Sequence, residues 1–178
     1  MGWPYVDHSM NNIALYLFVV LLGNSVHAQD HHPLDPEVAK TIEGTIGETY
    51  KIITGERGST RNWEAFRQLF TPDAQMSVLV HDTAGRGQVR TFTLEAFVRN
   101  GMTYYEGNGF TESPIKTIIH EYNGIANVFQ SYYAKEAELE EEGVNSFQLI
   151  FDGERWWITS ILWTSNVNGV ELPAELKQ

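Results

Sequence analysis

The first pattern along the chain is an uninterrupted apolar run near the N-terminus. Ile13–Leu22 is ten residues long, whereas a membrane-spanning helix needs about 20. The residues that follow the run are polar or small, and Val26-His27-Ala28 places small side chains at the positions that a signal peptidase reads. The pattern therefore predicts a signal peptide over residues 1–28, cleaved after Ala28.

This leader predicts an exported protein, periplasmic or secreted, whose working domain spans residues 29–178 and has no membrane contact after cleavage. Met10 opens directly onto the apolar run and is an alternative start. No Lys or Arg precedes the run, which departs from the usual signal peptide. An uncleaved anchor and a buried core helix are the alternatives.

After the leader, apolar positions recur at helical spacing. Asp35 is suited to cap a helix and Pro36 to begin it. The first helix is predicted to end near Gly55, with a buried stripe of Val38, Ile42, Ile46, Tyr50 and Ile53. A short second helix is predicted from Trp63 until the Pro72 turn, and a third begins after the capping residue Thr93.

The remaining segments alternate in the manner of strands. Two short ones, Gln75–Val80 and Val89–Phe92, lie among the helices. A hairpin signal at Asn123-Gly124 and an acidic connection at Glu136–Gly143 then join four longer ones, Ile115–Glu121, Ala126–Ala134, Asn145–Phe151 and Trp156–Thr164. This order predicts an α+β fold, with a curved antiparallel sheet wrapped around the N-terminal helices.

Composition narrows the possible functions. Cysteine is absent, which excludes disulfides, a thiol nucleophile and a Cys-based zinc site. The formal net charge is −11, and such an acidic chain disfavours binding to nucleic acid. With five Trp, eight Tyr and nine Phe, the domain is predicted to have a packed core or an aromatic-lined pocket.

Three local segments together resemble the nuclear transport factor 2-like (NTF2-like) superfamily, also called SnoaL-like or cystatin-like α+β cones. Trp63–Ala74 is similar to that family's second helix running into strand one, and Asn123–Val128 to its central hairpin. Phe147–Ile158, continued to Trp163, is similar to its final hairpin. The match spans Leu34–Ser165 and implies a cone-shaped sheet around a pocket. The family hosts isomerases, dehydratases, cyclases, binding modules and dimerisation domains, so the fold does not settle the function.

The resemblance makes one isomerase mechanism testable against the residues. Ketosteroid isomerases of this superfamily use a carboxylate base and an oxyanion hole of a Tyr and a protonated Asp. By alignment, the base position falls at about Val78 and the protonated acid at about Phe147, both apolar here. Only the helix-one Tyr has a counterpart, Tyr50. That mechanism is therefore disfavoured.

Other acid–base candidates remain. His81 and Asp82 follow the first strand and could form a general base, or they could belong to a solvated turn. His120 and Glu121 alternate on their strand, so one of them points inward. A buried Glu121 would have a raised pKa and could act as an acid or base. The alternative is a charged side chain that faces water.

Amphipathic side chains could line an apolar pocket that makes few polar contacts, as small-ligand sites do. Core packing with satisfied hydroxyls is the alternative for each of them. The candidates are Tyr104, Tyr105, Tyr132, Tyr133, Asn145, Gln148 and Trp163.

No metal site and no cofactor are predicted. The His-rich segment around His31 includes His27, which would be removed with the leader. The remainder of this segment is predicted to be a flexible polar terminus. The glutamates at 136–142 lack the Gly and Asp spacing of a calcium loop. The glycine pairs Gly55/Gly58 and Gly85/Gly87 lack the strand–turn–helix setting of a phosphate loop.

The favoured hypothesis is an exported, non-catalytic cone that binds a small apolar or aromatic molecule. The second is a cofactor-independent isomerase, dehydratase or cyclase that uses Glu121 or the His81–Asp82 pair with Tyr50. The third is a self-association module, since exposed aromatic residues on the outer sheet face would favour a homodimer.

Overall fold

A computed structural model describes residues 33–82 and 84–177. The predicted leader and its cleavage site lie outside these residues, so export stays a prediction. None of the helices in the described part has both the length and the apolar character needed to cross a membrane.

The helices begin where side chains cap them. A 3-10 helix spans Pro36–Lys40, followed by α1 (Ile42–Ile53), α2 (Trp63–Arg67) and α3 (Leu94–Asn108). The predicted first helix is interrupted at Thr41, because its hydroxyl accepts a hydrogen bond from the Gly44 N–H at 3.0 Å and caps a new helix. A second 3-10 helix, Ala174–Leu176, lies near the C-terminus.

In the described part of the chain, six strands form a single sheet in the order β2-β1-β6-β5-β4-β3. They are β1 (Phe70–His81), β2 (Gly87–Thr93), β3 (Thr111–Tyr122), β4 (Ile125–Glu136), β5 (Leu139–Phe151) and β6 (Trp156–Ser165). The predicted α+β fold is confirmed. The sheet is mixed, because β2 occupies one edge of β1 and β6 returns along the other edge in the same direction as β1.

Three strands begin four or more residues earlier than the sequence predicted, at segments that contain Pro or several Glu residues, which have low strand propensity. β1 starts at Phe70, with a register irregularity before Gln75 that accommodates Pro72. β3 starts at Thr111 and contains Pro114 beside a second irregularity. β5 starts at Leu139, so most of the predicted acidic connection is strand. These extensions bring acidic side chains into the sheet.

The core lies between the helices and the inner face of the sheet. Phe66 on α2 packs against Phe70 and Phe97, with ring centroids 4.8 and 5.6 Å apart. On β5, Gly143 leaves room for the neighbouring ring of Tyr132, since a Cβ there would lie 2.4 Å from the Tyr132 ring. The largest fully buried side chains are Phe66, Phe70, Phe147, Leu69, Met76 and Ile158.

The outer face of the sheet exposes apolar side chains on neighbouring strands. Val89, Leu79, Leu162 and Phe129 are 70%, 38%, 54% and 41% exposed. The C-terminal segment covers another part of this face, where the Ser131 hydroxyl donates to the Leu176 carbonyl at 2.7 Å. Self-association through the uncovered part stays a prediction.

Candidate functional site

A cavity opens between the inner face of the sheet and helices α1 and α3. Its inner chamber, of about 60 Å³, is enclosed by side chains of α1, α2, α3 and four strands. A wider vestibule of about 330 Å³ adjoins it. Both spaces are bounded by Phe97, Tyr105, Glu112 and Trp163. We call the two spaces together the cone cavity.

Among the described residues, Glu112 is the carboxylate that lines both spaces of this cavity, and backbone contacts fix its position. It lies near the start of β3, where its N–H donates to the Thr54 hydroxyl at 3.1 Å, just beyond the end of α1. The side-chain amide of Asn145 donates to Glu112 Oε1 at 2.7 Å and to the Tyr50 hydroxyl at 2.8 Å. One amide therefore connects a carboxylate on β3 to a phenol on α1.

The cavity changes the acidity of Glu112. Burial raises the pKa of its carboxyl from 4.5 to about 7, and the nearby charge of Glu141 adds to the rise. The hydrogen bond from Asn145 opposes these effects by stabilising the carboxylate. Glu112 consequently gains and loses its proton near neutral pH, which is the property that a general acid or base needs.

Tyrosine hydroxyls surround this carboxylate. Burial, followed by the negative charge of Glu112, raises the pKa of Tyr50, Tyr105 and Tyr132 above the ordinary value. All three are therefore neutral phenols at neutral pH. The Tyr132 hydroxyl donates to the Thr164 carbonyl at 3.3 Å.

Aromatic rings form most of the remaining wall. Tyr105 packs against Phe110 with ring centroids 4.8 Å apart, and Phe97 meets Trp163 edge-on at 6.1 Å. At the mouth, the Tyr104 hydroxyl donates to a carboxylate oxygen of Glu136. The site thus combines an apolar, π-rich wall with a few fixed polar groups, as small-ligand pockets do.

Several residues selected from the sequence meet in the cone cavity. Tyr50 and Asn145 line the inner chamber, Tyr105 and Trp163 line both spaces, and Tyr104 lines the vestibule. The two positions at which the resemblance places isomerase carboxylates also lie there, as the apolar residues Val78 and Phe147.

Other selected residues lie elsewhere. Tyr133 is half-exposed on β4, in the alternate set of positions from Tyr132. Gln148, His120 and Glu121 are exposed and line a separate groove. Neither His120 nor Glu121 lines the cone cavity, because both lie at the end of β3 far from Glu112.

The His81–Asp82 pair ends β1 and also lies outside the cavity lining. Asp82 accepts hydrogen bonds from the backbone N–H groups of Ala84 and Arg86, each at 2.9 Å, and from Arg86 Nε at 2.8 Å. The Arg86 backbone N–H is the main cause of the lowered pKa of the Asp82 carboxyl. These bonds build a turn, which was the alternative considered for this pair.

Sequence reasoning missed Glu112 and Glu141, which both line the vestibule. Glu112 lies before the predicted start of its strand, and Glu141 lies within the acidic run. The alternation from Phe110 to Glu112 was a local signal for an inward carboxylate, but Pro114 obscured it. Within residues 33–82 and 84–177, no three His, Asp or Glu side chains are arranged to hold a metal ion.

Comparison with known proteins identifies the fold. No protein-family model matches the sequence, and no curated protein matches it. Among solved structures, an NTF2-like protein from Cytophaga hutchinsonii is 13% identical, with a TM-score of 0.54 over 68% of this chain and 92% of that chain.

Two further structures are similar to this chain to the same degree. An NTF2-like protein of unknown function from Pseudomonas aeruginosa is 14% identical, with a TM-score of 0.55 over 67% of this chain and 94% of that one. A protein of unknown function with a cystatin-like fold from Nostoc punctiforme is 10% identical, with a TM-score of 0.54 over 76% and 96%. The chain has the NTF2-like fold that the sequence predicted, and at these identities the likeness concerns the fold alone.

Proposed function

We propose that the cone cavity binds a small molecule with a largely apolar body. The observation that carries the proposal is a carboxylate held in an aromatic chamber that opens into a vestibule of about 330 Å³. Keeping Glu112 there costs stability at neutral pH, because burial opposes its ionised form. A fold that only needed a packed core would gain from an apolar residue at this position.

The aromatic wall favours an apolar ligand, and the fixed polar groups can orient that ligand in the cavity. Phe97 and Trp163 offer ring surfaces at the junction of chamber and vestibule. Asn145 and Tyr50 are held by hydrogen bonds, so they offer polar contacts with little loss of side-chain entropy on binding.

A cavity-filling substitution tests this proposal. Val78→Phe adds a ring to the vestibule wall and is expected to weaken ligand binding by about tenfold or more, because the added volume competes with the ligand. Thermal shift with a panel of steroids, polyketides and aromatic acids identifies a ligand, and calorimetric titration measures its affinity.

Leu79→Phe is the matched control for Val78→Phe, since the two residues are neighbours on β1 and only Val78 lines the vestibule. It is expected to leave the affinity unchanged. No stabilising compound in the panel, or equal loss of affinity in both variants, would contradict the proposal.

The position of Glu112 favours a second candidate function, proton transfer on the bound molecule. The ionised carboxylate would accept a proton from a carbon next to a carbonyl group, and the Tyr50 hydroxyl would donate a hydrogen bond to the oxyanion that forms. For a β,γ-unsaturated ketone, return of the same proton to the γ-carbon moves the double bond next to the carbonyl group and completes an isomerisation without a cofactor. A pKa of about 7 suits Glu112 to both directions of transfer.

Deuterium exchange tests the proton transfer directly. For a ketone that binds the cavity, the protein is expected to speed exchange of the protons next to the carbonyl group, and Glu112→Gln is expected to slow it by about 100-fold or more. Proton NMR in D₂O follows the exchange, with Glu121→Gln as the exposed carboxylate control. Exchange that survives in Glu112→Gln rules out this second function.

A further inference from the structure

The charged groups along the cone cavity are unequally distributed in sign. Three carboxylates line it, Glu112 at the junction and Glu136 and Glu141 in the vestibule. Arg90 is the one cationic side chain among the described residues of the lining. Arg90 lies on β2, an edge strand, is exposed to solvent, and donates to the Gln88 side chain at 3.3 Å.

The three carboxylates have no cationic partner in the described part of the chain. No Lys, Arg or His nitrogen of residues 33–82 and 84–177 lies within 4.0 Å of their oxygens. Their polar contacts are neutral, from Asn145 to Glu112 and from Tyr104 to Glu136. Elsewhere on the same hairpin, Glu140 pairs with Lys135 at 2.9 Å. Among the described residues, the carboxylates on the cavity side of these strands are therefore left without a compensating cation.

Ring faces accompany this charge. Tyr105 and Trp163 border both spaces, and Tyr104 and Tyr132 border the vestibule. The face of an aromatic ring attracts a cation through its quadrupole, and the attraction grows when water is excluded. Carboxylates and ring faces in one cavity are the chemistry that recognises an organic ammonium group.

We propose that the ligand of the cone cavity is an organic cation, an ammonium group on an apolar body, held between Glu112, Glu141 and the surrounding rings. This inference rests on the proposed small-molecule function and specifies its ligand class. A bound cation would also offset the repulsion between Glu112 and Glu141. A neutral ligand would leave both carboxylates facing one another without compensation.

A pair of probes that differ only in charge tests the inference. Benzyltrimethylammonium and neopentylbenzene have the same shape, because a carbon atom replaces the nitrogen. Calorimetric titration of the whole chain at about pH 8, where Glu112 is ionised, is expected to show about tenfold tighter binding of the ammonium compound.

Charge-removing variants locate the preference. Glu141→Gln and Glu112→Gln are each expected to reduce the ammonium preference several-fold while neopentylbenzene binds as before. Glu142→Gln is the matched control, because it removes the same charge from a position whose side chain alternates to the other face of β5. It is expected to keep the full preference.

The outcomes separate this inference from the proposed function. If both probes bind equally well, or the neutral one binds more tightly, the cation inference is wrong and the proposed function stands. If the preference persists in Glu112→Gln and Glu141→Gln, the cation binds outside the cone cavity and the inference is again wrong. If neither probe binds and the ligand panel also fails, both are overturned.

Discussion

Replacing Glu112 by glutamine is expected to stabilise the protein at about pH 8 relative to wild type. Folding moves this carboxyl from water into the aromatic cavity and raises its pKa from 4.5 to about 7. That shift corresponds to about 3 kcal/mol of folding free energy lost when the folded protein must hold Glu112 ionised. Glutamine is neutral at every pH, and its carbonyl oxygen can still accept the Asn145 hydrogen bond.

The sign of the pH dependence follows from proton counting. Between about pH 4.5 and pH 7 the folded state retains the Glu112 proton that the unfolded state has released, so its contribution to stability falls as pH rises. Below about pH 4.5, Glu112 is protonated in both the folded and the unfolded state, so its ionisation does not affect the difference in unfolding free energy between wild type and Glu112→Gln. Above about pH 7, that difference has changed by about 3 kcal/mol in favour of the variant. The titratable groups that face this carboxyl are Tyr50, Tyr105, Tyr132 and Glu141, and Asn145 donates a hydrogen bond to it.

Urea unfolding of both proteins at several pH values measures this difference. Glu121→Gln serves as the control, because it makes the same chemical change at an exposed position on the same strand. The gain in stability at about pH 8 is expected in Glu112→Gln and not in this exposed control. A Glu112→Gln curve that runs parallel to wild type would mean that Glu112 is hydrated in the folded protein.

Replacing Arg61 by alanine is expected to destabilise the protein by about 4 kcal/mol. Its side chain is 3% exposed and donates to the carbonyls of Gly55, Glu56 and Ile53 at 2.6, 3.1 and 3.3 Å. The guanidinium also donates to the carbonyl and hydroxyl of Ser59. Alanine would remove all of these donors, although the Gly55 and Glu56 carbonyls keep hydrogen bonds from the N–H groups of Phe110 and Ser59. A hydrogen bond to a charged group contributes about 1.5–3 kcal/mol, and the contributions are not additive.

The same substitution should loosen the cavity, because Arg61 secures the segment between α1 and α2. Ile53 ends α1, and Gly55 pairs with Phe110 on the way into β3. Urea unfolding measures the loss, with Arg57→Ala as the control for removing a positive charge from an exposed position in the same segment. Arg61→Lys keeps the charge but not the planar fork of donors, so an intermediate loss is expected. A loss below about 1 kcal/mol in Arg61→Ala would contradict this role.

Regular patterning explains why the fold was predictable from the sequence. The apolar stripe of α1, the alternation of the four long strands and the Asn123-Gly124 turn all agree with the structure. The pocket residues chosen on β4 and β5 were only partly right, since Tyr132 and Asn145 line the cavity whereas Tyr133 and Gln148 do not. The parallel β1–β6 pairing was not predictable, because it joins strands far apart in the sequence.

The candidate site was only partly predictable, for a physical reason. Glu and Pro are poor strand formers, so the sequence pattern predicted loops, not strands, for the segments around Glu112 and Glu141. Tertiary pairing with β4 overrides that preference and turns both carboxylates toward the cavity. Glu121 pairs with Ala126 and so shares the face of Glu112, but it lies at the opposite end of β3 and is exposed to solvent.

The position of Glu112 in the cone cavity, away from bulk water, is the central feature of the proposed site. Carbon-13 NMR of its side-chain carboxyl, assigned by comparison with Glu112→Gln, gives its titration curve in the intact protein. The structure predicts a midpoint at about pH 7. A midpoint near the ordinary glutamate value of about 4.3 would show a hydrated carboxyl and contradict the account.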